Sequence, residues 1–255
     1  MSTRLSIDEH LTALRGAGET LRAAAAGAGL AAKVPTCPAW SVTDLVTHQG
    51  MVHRWAAANL RGDKDHATDD SEAAAAAAPD LLAWFSEGLD ALIDTITATA
   101  DDVQALVFLK DAPPPRRFWA RRQAHETTMH AVDAVSARLG RWPTAAEVTI
   151  ETSVAVDGID ELLMGFITRG KGKLHTEQPT TLLVRAEDTG DEWTVQLSDG
   201  PMVTAPGATG DADAVFSGTA AQLYLGLWNR SDDFTTTGRA DLVDQWRRSI
   251  RVRWS

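Results

Sequence analysis

The chain has 255 residues, 44% hydrophobic and 23% charged, a composition typical of a globular protein with one or two domains. Its formal net charge of −11 argues against a nucleic-acid partner, because phosphate contacts require a clustered excess of Lys and Arg. The sequence contains no apolar run of about 18 residues, and MSTRLSIDEH lacks the basic-then-apolar pattern of a secretory signal. We therefore expect a cytoplasmic protein with no membrane partner.

The sequence contains a single cysteine, Cys37. One cysteine excludes an intramolecular disulfide and any metal site built from several thiolates. A metal site in this chain must therefore use His and carboxylate ligands. We interpret Cys37, beside Pro38, as a packing residue rather than a nucleophile, so thiol chemistry would need a thiol from outside the chain.

The first half of the sequence is rich in Ala and predicts helices. Ser41 and Asp44 mark one helix start, because a Ser-x-x-Asp pattern caps a helix and places negative charge at its positive end. Gly140 marks the end of the last helix in this half, and residues 62–70 form a polar connection. The predicted helices cover residues 3–31, 41–60, 81–96 and 118–139. Four helices of this length predict a bundle.

The second half is richer in Val, Thr and Gly, and much of it alternates apolar and polar residues. Strands are predicted at residues 180–186, 192–198, 202–205 and 212–217, and helices at 147–166, 220–228 and 240–248. The predicted fold class is α plus α+β. An N-terminal four-helix bundle, residues 1–143, is followed by a small α+β C-terminal domain, residues 144–255.

The second and fourth predicted helices carry candidate metal ligands. Glu126 and His130 are four residues apart and project from one helix face, whereas His125 points about 100° away from Glu126. On the second helix, His48 shares a face with apolar residues, and His53 faces nearly the other way. We therefore expect His48 to face inward, where an imidazole needs a polar partner. A metal shared with Glu126 and His130 would supply that partner.

Spacing alone leaves ordinary structural interpretations open. Arg122 and Glu126 also have the spacing of a surface ion pair, worth about 0.3 to 0.5 kcal/mol. His48 in an apolar stripe is also typical of a hydrogen-bonded core histidine. Four tryptophans are interpreted as core residues: Trp40, Trp55, Trp84 and Trp119.

Two histidines and one carboxylate leave one position of a tetrahedral zinc site open, which is typical of catalytic rather than structural zinc. Water or a thiolate would fill that position. Asp44, one turn before His48, and Asp133, three residues after His130, are candidates to orient the two imidazoles.

Four segments resemble the mycothiol-dependent maleylpyruvate isomerase family and occur in that family's order. They are TCPAWSVTDLVTHQGMVHRWA (36–56), RRQAHETTMHAVDA (121–134), VDGIDELL (156–163) and LYLGLWNR (223–230). The resemblance spans both halves of the chain and implies a DinB-like metalloenzyme. In that superfamily a four-helix bundle binds zinc through a His on the second helix and a Glu-x-x-x-His on a later helix. These positions match His48, Glu126 and His130.

The resemblance also implies a functional arginine in the second domain. An Arg that follows the family's Leu-Trp pair corresponds to Arg230, which would hold a substrate carboxylate or stabilise developing enolate charge. The family usually has Gly before this Arg, whereas this chain has Asn229, so we expect a differently shaped loop. A surface arginine beside Asp232 and Asp233 is the other interpretation of Arg230.

The function implied by the resemblance is a metal-dependent, mycothiol-dependent isomerase or S-transferase. A divalent metal, zinc by this resemblance, would lower the pKa of the external thiol, and the thiolate would attack a small electrophile such as maleylpyruvate. The expected partners are the small-molecule thiol and the electrophilic substrate, and the expected state is a monomer or small homo-oligomer. Two alternatives stay open: a non-enzymatic binding or stress-response protein whose metal staples the bundle, and hydrolysis by metal-activated water.

Overall fold

The structure is a computed structural model that describes residues 4–109, 111–169 and 174–250. The chain divides into two compact units. The first comprises Leu5–Phe108 and Ala112–Pro143, and the second begins at Thr144 and also includes Arg4, Leu109 and Asp111. Within the described ranges, no helix has both the length and the hydropathy needed to cross a membrane.

The first unit is helical. Its helices are α1 (Ile7–Ala28), α2 (Val42–Arg61), α3 (Thr68–Ala77), α4 (Leu81–Ala98) and α5 (Pro115–Leu139). α1 packs on α5, α5 on α2, α2 on α4 and α4 on α1. The four long helices therefore close into the four-helix bundle that the sequence predicts.

Local sequence signals account for the ends of the helices that carry the site. The Ser41 hydroxyl accepts a hydrogen bond from the Asp44 amide at 3.3 Å, and the Asp44 carboxylate accepts one from the Ser41 amide at 2.8 Å. This capping box confirms the predicted start of α2. Gly140 ends α5 with a left-handed φ of 69°, a conformation that glycine adopts without steric strain. α5 begins earlier than predicted, at Pro115, because proline is well suited to the first helical turn.

The short helix α3 is not among the predicted elements. It begins inside the segment assigned to a polar connection and continues into a run of six alanines that starts at Ala73. Alanine has the highest intrinsic helix propensity, so this run forms a helix despite having no apolar stripe.

α5 is buried along almost its whole length, since every residue from Phe118 to Ala137 is buried. Its sequence is nevertheless polar and includes Arg122, Glu126, His130 and Asp133. Charged side chains are rarely fully buried unless they are paired. The composition of α5 therefore indicates a buried polar site on this helix.

The second unit is a small α+β domain. Its helices are α6 (Thr152–Asp160), α7 (Ala220–Leu227) and α8 (Leu242–Ser249), and its strands are β1 (Thr180–Ala186), β2 (Glu192–Leu197), β3 (Val203–Pro206), β4 (Ala214–Gly218) and β5 (Thr235–Gly238). The strand order is β3-β2-β1-β4-β5. β1 and β4 are parallel, and the other neighbouring pairs are antiparallel.

This sheet confirms the four predicted strands and adds a fifth. All four residues of β5 are exposed, so its sequence lacks the apolar alternation that identifies a strand. The helix predicted over residues 147–166 is also more divided than expected. α6 starts at Thr152 and continues as a π-helical stretch, Glu161–Phe166, while Ala145–Glu147 form a separate 3-10 turn.

Candidate metal centre

The bundle brings together three of the four predicted site residues. His48 projects from α2, and Glu126 and His130 project from α5. One ligand atom from each residue lies within 4.8 Å of the other two. The fourth residue, Arg230, belongs to the second unit, where it follows α7.

Helix geometry accounts for this convergence. Glu126 and His130 are one turn apart on one face of α5, and the Glu126 Oε1 lies 3.4 Å from the His130 Nε2. His48 lies about two turns after the Ser41 cap, so the residue at which α2 begins determines the position of His48 along the helix axis. The His48 and His130 rings meet at 79°, with centroids 5.3 Å apart.

Arg122 holds the second oxygen of the Glu126 carboxylate. Its Nη2 donates to the Glu126 Oε2 at 2.9 Å, and the two side chains are only 1% and 8% exposed. The pair is therefore buried, and the interpretation of a surface ion pair is wrong. The two partners of a buried ion pair are strongly oriented towards each other. Removing one of them leaves an uncompensated buried charge, which destabilises the folded protein by several kcal/mol. With Oε2 engaged, Oε1 is the oxygen that faces His130.

Asp133 orients His130 from the opposite side of the imidazole ring. The Asp133 Oδ2 lies 2.9 Å from the His130 Nδ1. Burial alone would lower the pKa of His130, but hydrogen bonds with Asp133 and Glu126 raise it to about 9. The metal-free imidazole therefore carries a proton on both nitrogens at neutral pH, and a metal would replace the proton on Nε2.

Asp44, the other carboxylate considered for this orienting role, is exposed and bonds to Ser41 at the start of α2. In this capping box the Asp44 carboxylate accepts hydrogen bonds from Ser41 rather than from an imidazole. Of the two candidates, only Asp133 lies against a ligand histidine.

His48 has the opposite titration behaviour. Burial, and then the positive charge of His130, lower the pKa of His48 to about 4. A neutral imidazole has an available lone pair at neutral pH, which is the form that binds a metal. His48 is half-buried as a residue, whereas the two α5 ligands are buried.

These residues fit a divalent metal such as zinc. Two imidazoles and one carboxylate are a common catalytic donor set, and ligand distances of about 2.0 to 2.1 Å place neighbouring donors of a tetrahedral zinc roughly 3.3 to 3.4 Å apart. The separation of Glu126 Oε1 and His130 Nε2, 3.4 Å, matches that distance. The donor atom of His48 lies within 4.8 Å of both and is the third member of the donor set.

The loop before α2 brings Trp40 and Cys37 close to these ligands, although both were predicted to be packing residues. The Trp40 ring lies 4.9 Å from the His48 ring and 5.7 Å from the His130 ring, measured between centroids. The Cys37 thiol donates to the Asp133 Oδ2 at 3.5 Å. Trp40 is half-buried beside the two imidazoles rather than in the core. Its position directly before the Ser41 cap was the signal that could have placed it here.

The two other histidines on α2 and α5 lie outside this cluster. His53 is fully buried, and its Nε2 lies 2.9 Å from the Thr127 Oγ1 of α5. Although the helix places His53 nearly opposite to His48, His53 is also buried, because α2 packs between α4 and α5 and has two buried faces. His125 turns towards α1, where its ring centroid is 6.2 Å from that of His10.

Arg230 lies in a tight turn after α7. Its amide donates to the Leu225 carbonyl at 2.8 Å, and its Nη1 donates to the Trp228 carbonyl at 2.9 Å. Asn229 has a positive φ of 59°, the left-handed conformation that a glycine would adopt there and that Asn tolerates better than most residues. Asn at this position is therefore compatible with a turn that otherwise favours glycine.

The fold and the cluster define a class: a four-helix-bundle protein with a buried group of two histidines and one carboxylate, followed by a small α+β domain. Family models agree with this description. The mycothiol maleylpyruvate isomerase N-terminal domain matches residues 11–135, and the corresponding MDMPI C-terminal domain matches residues 153–245. The chain belongs to the mycothiol maleylpyruvate isomerase family.

Solved structures show the same fold. A crystal structure of mycothiol-dependent maleylpyruvate isomerase is similar with a TM-score of 0.61 and 18% identity, covering 93% of this chain and 96% of that one. A mutant of the same isomerase is similar with a TM-score of 0.63 and the same identity and coverage. Among curated proteins, none matches this sequence.

Proposed function

We propose that this chain is a mycothiol-dependent isomerase or S-transferase that acts on a small electrophile such as maleylpyruvate. In this proposal His48, Glu126 and His130 hold a divalent metal, zinc in particular. Family membership supports the reaction class and the thiol, and the related structures are of an isomerase with that substrate and cofactor. We also place the protein in the cytoplasm, where small thiols are kept reduced.

One observation carries the metal proposal: three donors of the right chemistry converge from two helices to within 4.8 Å. Two of them have an orienting partner on the side away from the cluster, Arg122 for Glu126 and Asp133 for His130. Such partners fix the orientation of metal ligands and tune their basicity. A core histidine or an isolated ion pair would not require this arrangement.

In this proposal each side chain of the site has a distinct role. His48 supplies a neutral nitrogen, and the Glu126 carboxylate, held by Arg122, supplies an oxygen donor. Asp133 keeps the proton of His130 on Nδ1, so that the Nε2 of that ring faces the cluster. Trp40 packs beside the two imidazoles.

When bound, a divalent metal at these ligands supplies Lewis acidity, which lowers the pKa of a thiol in the open position so that it reacts as a thiolate near neutral pH. A thiolate that adds to an activated cis double bond leaves a single bond, about which rotation can occur. Expulsion of the thiolate then restores the double bond as trans, which is isomerisation, whereas protonation of the adduct at carbon leaves the thiol attached, which is S-transfer. We assign Arg230 to the substrate, where its guanidinium would hold a carboxylate or stabilise developing enolate charge.

The proposal is tested by metal analysis of the purified protein and of single variants. We expect about one divalent metal per chain in the unmodified protein. His48→Ala, Glu126→Ala and His130→Ala should each lose the metal, and with it mycothiol-dependent isomerisation of maleylpyruvate, while far-ultraviolet circular dichroism still reports a helical fold.

His125→Ala is the matched control, because His125 is buried on the same helix as two of the ligands but faces α1. It should retain the metal. Metal loss in His125→Ala together with full retention in the three ligand variants would contradict the assignment.

A further inference from the structure

A buried polar network joins α2 to α5 beside the candidate metal ligands. The Gln49 Nε2 donates to the Thr127 Oγ1 at 2.9 Å. The His53 Nε2 lies 2.9 Å from both the Gln49 Nε2 and the Thr127 Oγ1. All three side chains have 0% exposure. We refer to Gln49, His53 and Thr127 as the 49–53–127 network.

The network is adjacent in sequence to a ligand on each helix. Gln49 follows His48 on α2, and Thr127 follows Glu126 on α5. Because the helical backbone is rigid, fixing the direction of one residue also fixes the direction of its neighbour. Side-chain atoms lie about 5 to 6 Å from a helix axis, so a rotation of only 10° moves a ligand atom by about 1 Å. Metal ligation tolerates distance errors of about 0.2 Å.

Stability alone does not account for the network. Within the described part of the chain, the Gln49 Oε1 and the His53 Nδ1 have no hydrogen-bond partner. A partly satisfied buried network stabilises a fold less than apolar side chains of the same shape would. Buried polar groups instead specify one relative orientation of two helices, because only that orientation allows their hydrogen bonds.

We infer that the 49–53–127 network positions the metal ligands by fixing the rotation of α5 against α2, so that Glu126 and His130 reach His48. The inference rests on the proposed metal centre. Thr127 is the residue of the network that belongs to α5, and both of its partners belong to α2. These are positioning residues, since they act through the ligands.

The test measures metal binding rather than activity. Thr127→Val keeps the side-chain shape and removes the hydroxyl that links the helices. We expect zinc affinity, measured by competition with a chromophoric chelator, to fall about 10-fold, the lower end of the effect of losing a residue that orients metal ligands. The visible spectrum of the cobalt-substituted protein should lose intensity, because its ligands depart from tetrahedral geometry. Thr127→Ser restores the hydroxyl and should restore both readouts.

Thr128→Val is the matched control. Thr128 is also buried on α5, but its Oγ1 donates at 2.7 Å to the Ala124 carbonyl of its own helix. This variant should keep the zinc affinity and the cobalt spectrum of the unmodified protein. Gln49→Met removes the same hydrogen bond from the α2 side and should lower zinc affinity and cobalt spectral intensity as Thr127→Val does. The inference can therefore still be tested if one of the two variants fails to fold.

Unchanged affinity and spectrum in a folded Thr127→Val or Gln49→Met variant would overturn the inference while leaving the metal proposal intact. Equal losses in Thr127→Val and Thr128→Val would also overturn it, because general repacking of α5 would then be the cause. If the unmodified protein binds neither zinc nor cobalt, the proposed metal centre and this inference both fall.

Discussion

Asp133 connects one ligand of the candidate site to the loop before α2. It is fully buried, it bonds to the His130 Nδ1 at 2.9 Å, and it accepts from the Cys37 thiol at 3.5 Å. Its carboxylate therefore links a ligand on α5 to the loop that carries Trp40. Asp44, the other candidate acid, caps α2 instead.

Asp133→Asn tests this role at the residue scale. The neutral amide is a weaker acceptor than the carboxylate, so the imidazole of His130 becomes less basic and less firmly oriented. We expect zinc affinity to fall about 10- to 100-fold in a chelator competition assay. Asp44→Asn is the control and should leave zinc affinity unchanged. An Asp133→Asn variant that binds zinc as tightly as the unmodified protein would remove Asp133 from the site.

The site residues that could be predicted from the sequence are those that share one helix face or belong to a family motif. Glu126 and His130 follow from their spacing and resemblance, and Asp133 follows from its distance to His130 along one helix. Trp40 was assigned to the core, because a loop has no periodicity from which the direction of a side chain can be read. The burial of Arg122 was missed for a different reason: the i, i+4 spacing of an ion pair is the same at the surface and in a core.

At the scale of elements, α2 is buried on two faces because it packs against both α4 and α5. His53 contacts both neighbours, with its ring 5.3 Å from that of Phe85 on α4 and its Nε2 bonded to Thr127 on α5. Burial, and then the positive charge of Arg54, lower the pKa of His53 to about 3. This imidazole is therefore neutral in the folded chain through most of the acid range.

This depressed pKa predicts acid sensitivity with a definite sign. The unfolded chain binds a proton at His53 below its ordinary pKa of 6.5, whereas the folded chain does so only near pH 3. The contribution of His53 to stability is thus fully present above pH 6.5 and is lost as the pH falls from 6.5 towards 3. His53→Gln should reduce the pH dependence of the unfolding free energy in that window by up to about 1.4 kcal/mol per pH unit.

The measurement is denaturant unfolding of the metal-free protein at several pH values between 7 and 4. Removing metal with a chelator separates the titration of His53 from the release of metal by the ligand histidines. Comparison with the unmodified protein cancels the contributions of the other titrating groups. Identical pH dependence in the two proteins would show that His53 is accessible to protons in the folded state.

The elements that sequence patterns predicted are those stabilised by their own caps and apolar periodicity. α2 starts at the Ser41 capping box and α5 ends at Gly140, as predicted. β5 was missed because its pairing with β4, which places Phe216 opposite Thr236, depends on a neighbour rather than on its own exposed sequence. α3 was missed for the opposite reason, since its alanines favour a helix without indicating a buried face.

At the scale of the whole molecule, the proposed chemistry draws one residue from the second unit. If Arg230 acts on developing charge in the substrate, Arg230→Ala should lower turnover by at least about 10-fold with little change in the affinity for the thiol. Zinc content should be unchanged, because all three proposed ligands belong to the first unit. Steady-state kinetics and thiol calorimetry on the same variant separate the two effects. Equal losses of thiol affinity and turnover would assign Arg230 to the thiol instead.

The proposed reaction requires the metal, an external thiol and the electrophile in one pocket, so removing any one of them should abolish turnover. We expect isomerisation or thiol conjugation with mycothiol, far weaker turnover with glutathione, and none after chelation until zinc is restored. Cys37→Ser should remain active, because the nucleophilic sulfur belongs to the added thiol and Cys37 bonds to Asp133.

The binding of mycothiol itself distinguishes the remaining possibilities. Calorimetry should show mycothiol binding to the zinc-loaded protein, and the spectrum of the cobalt-substituted protein should shift when the thiol enters the open position. If mycothiol fails both tests while zinc still binds at His48, Glu126 and His130, the thiol assignment falls and the metal site stands. Hydrolysis by metal-activated water or a stabilising role for the metal would then be favoured, and turnover of an ester or amide without added thiol would separate those two.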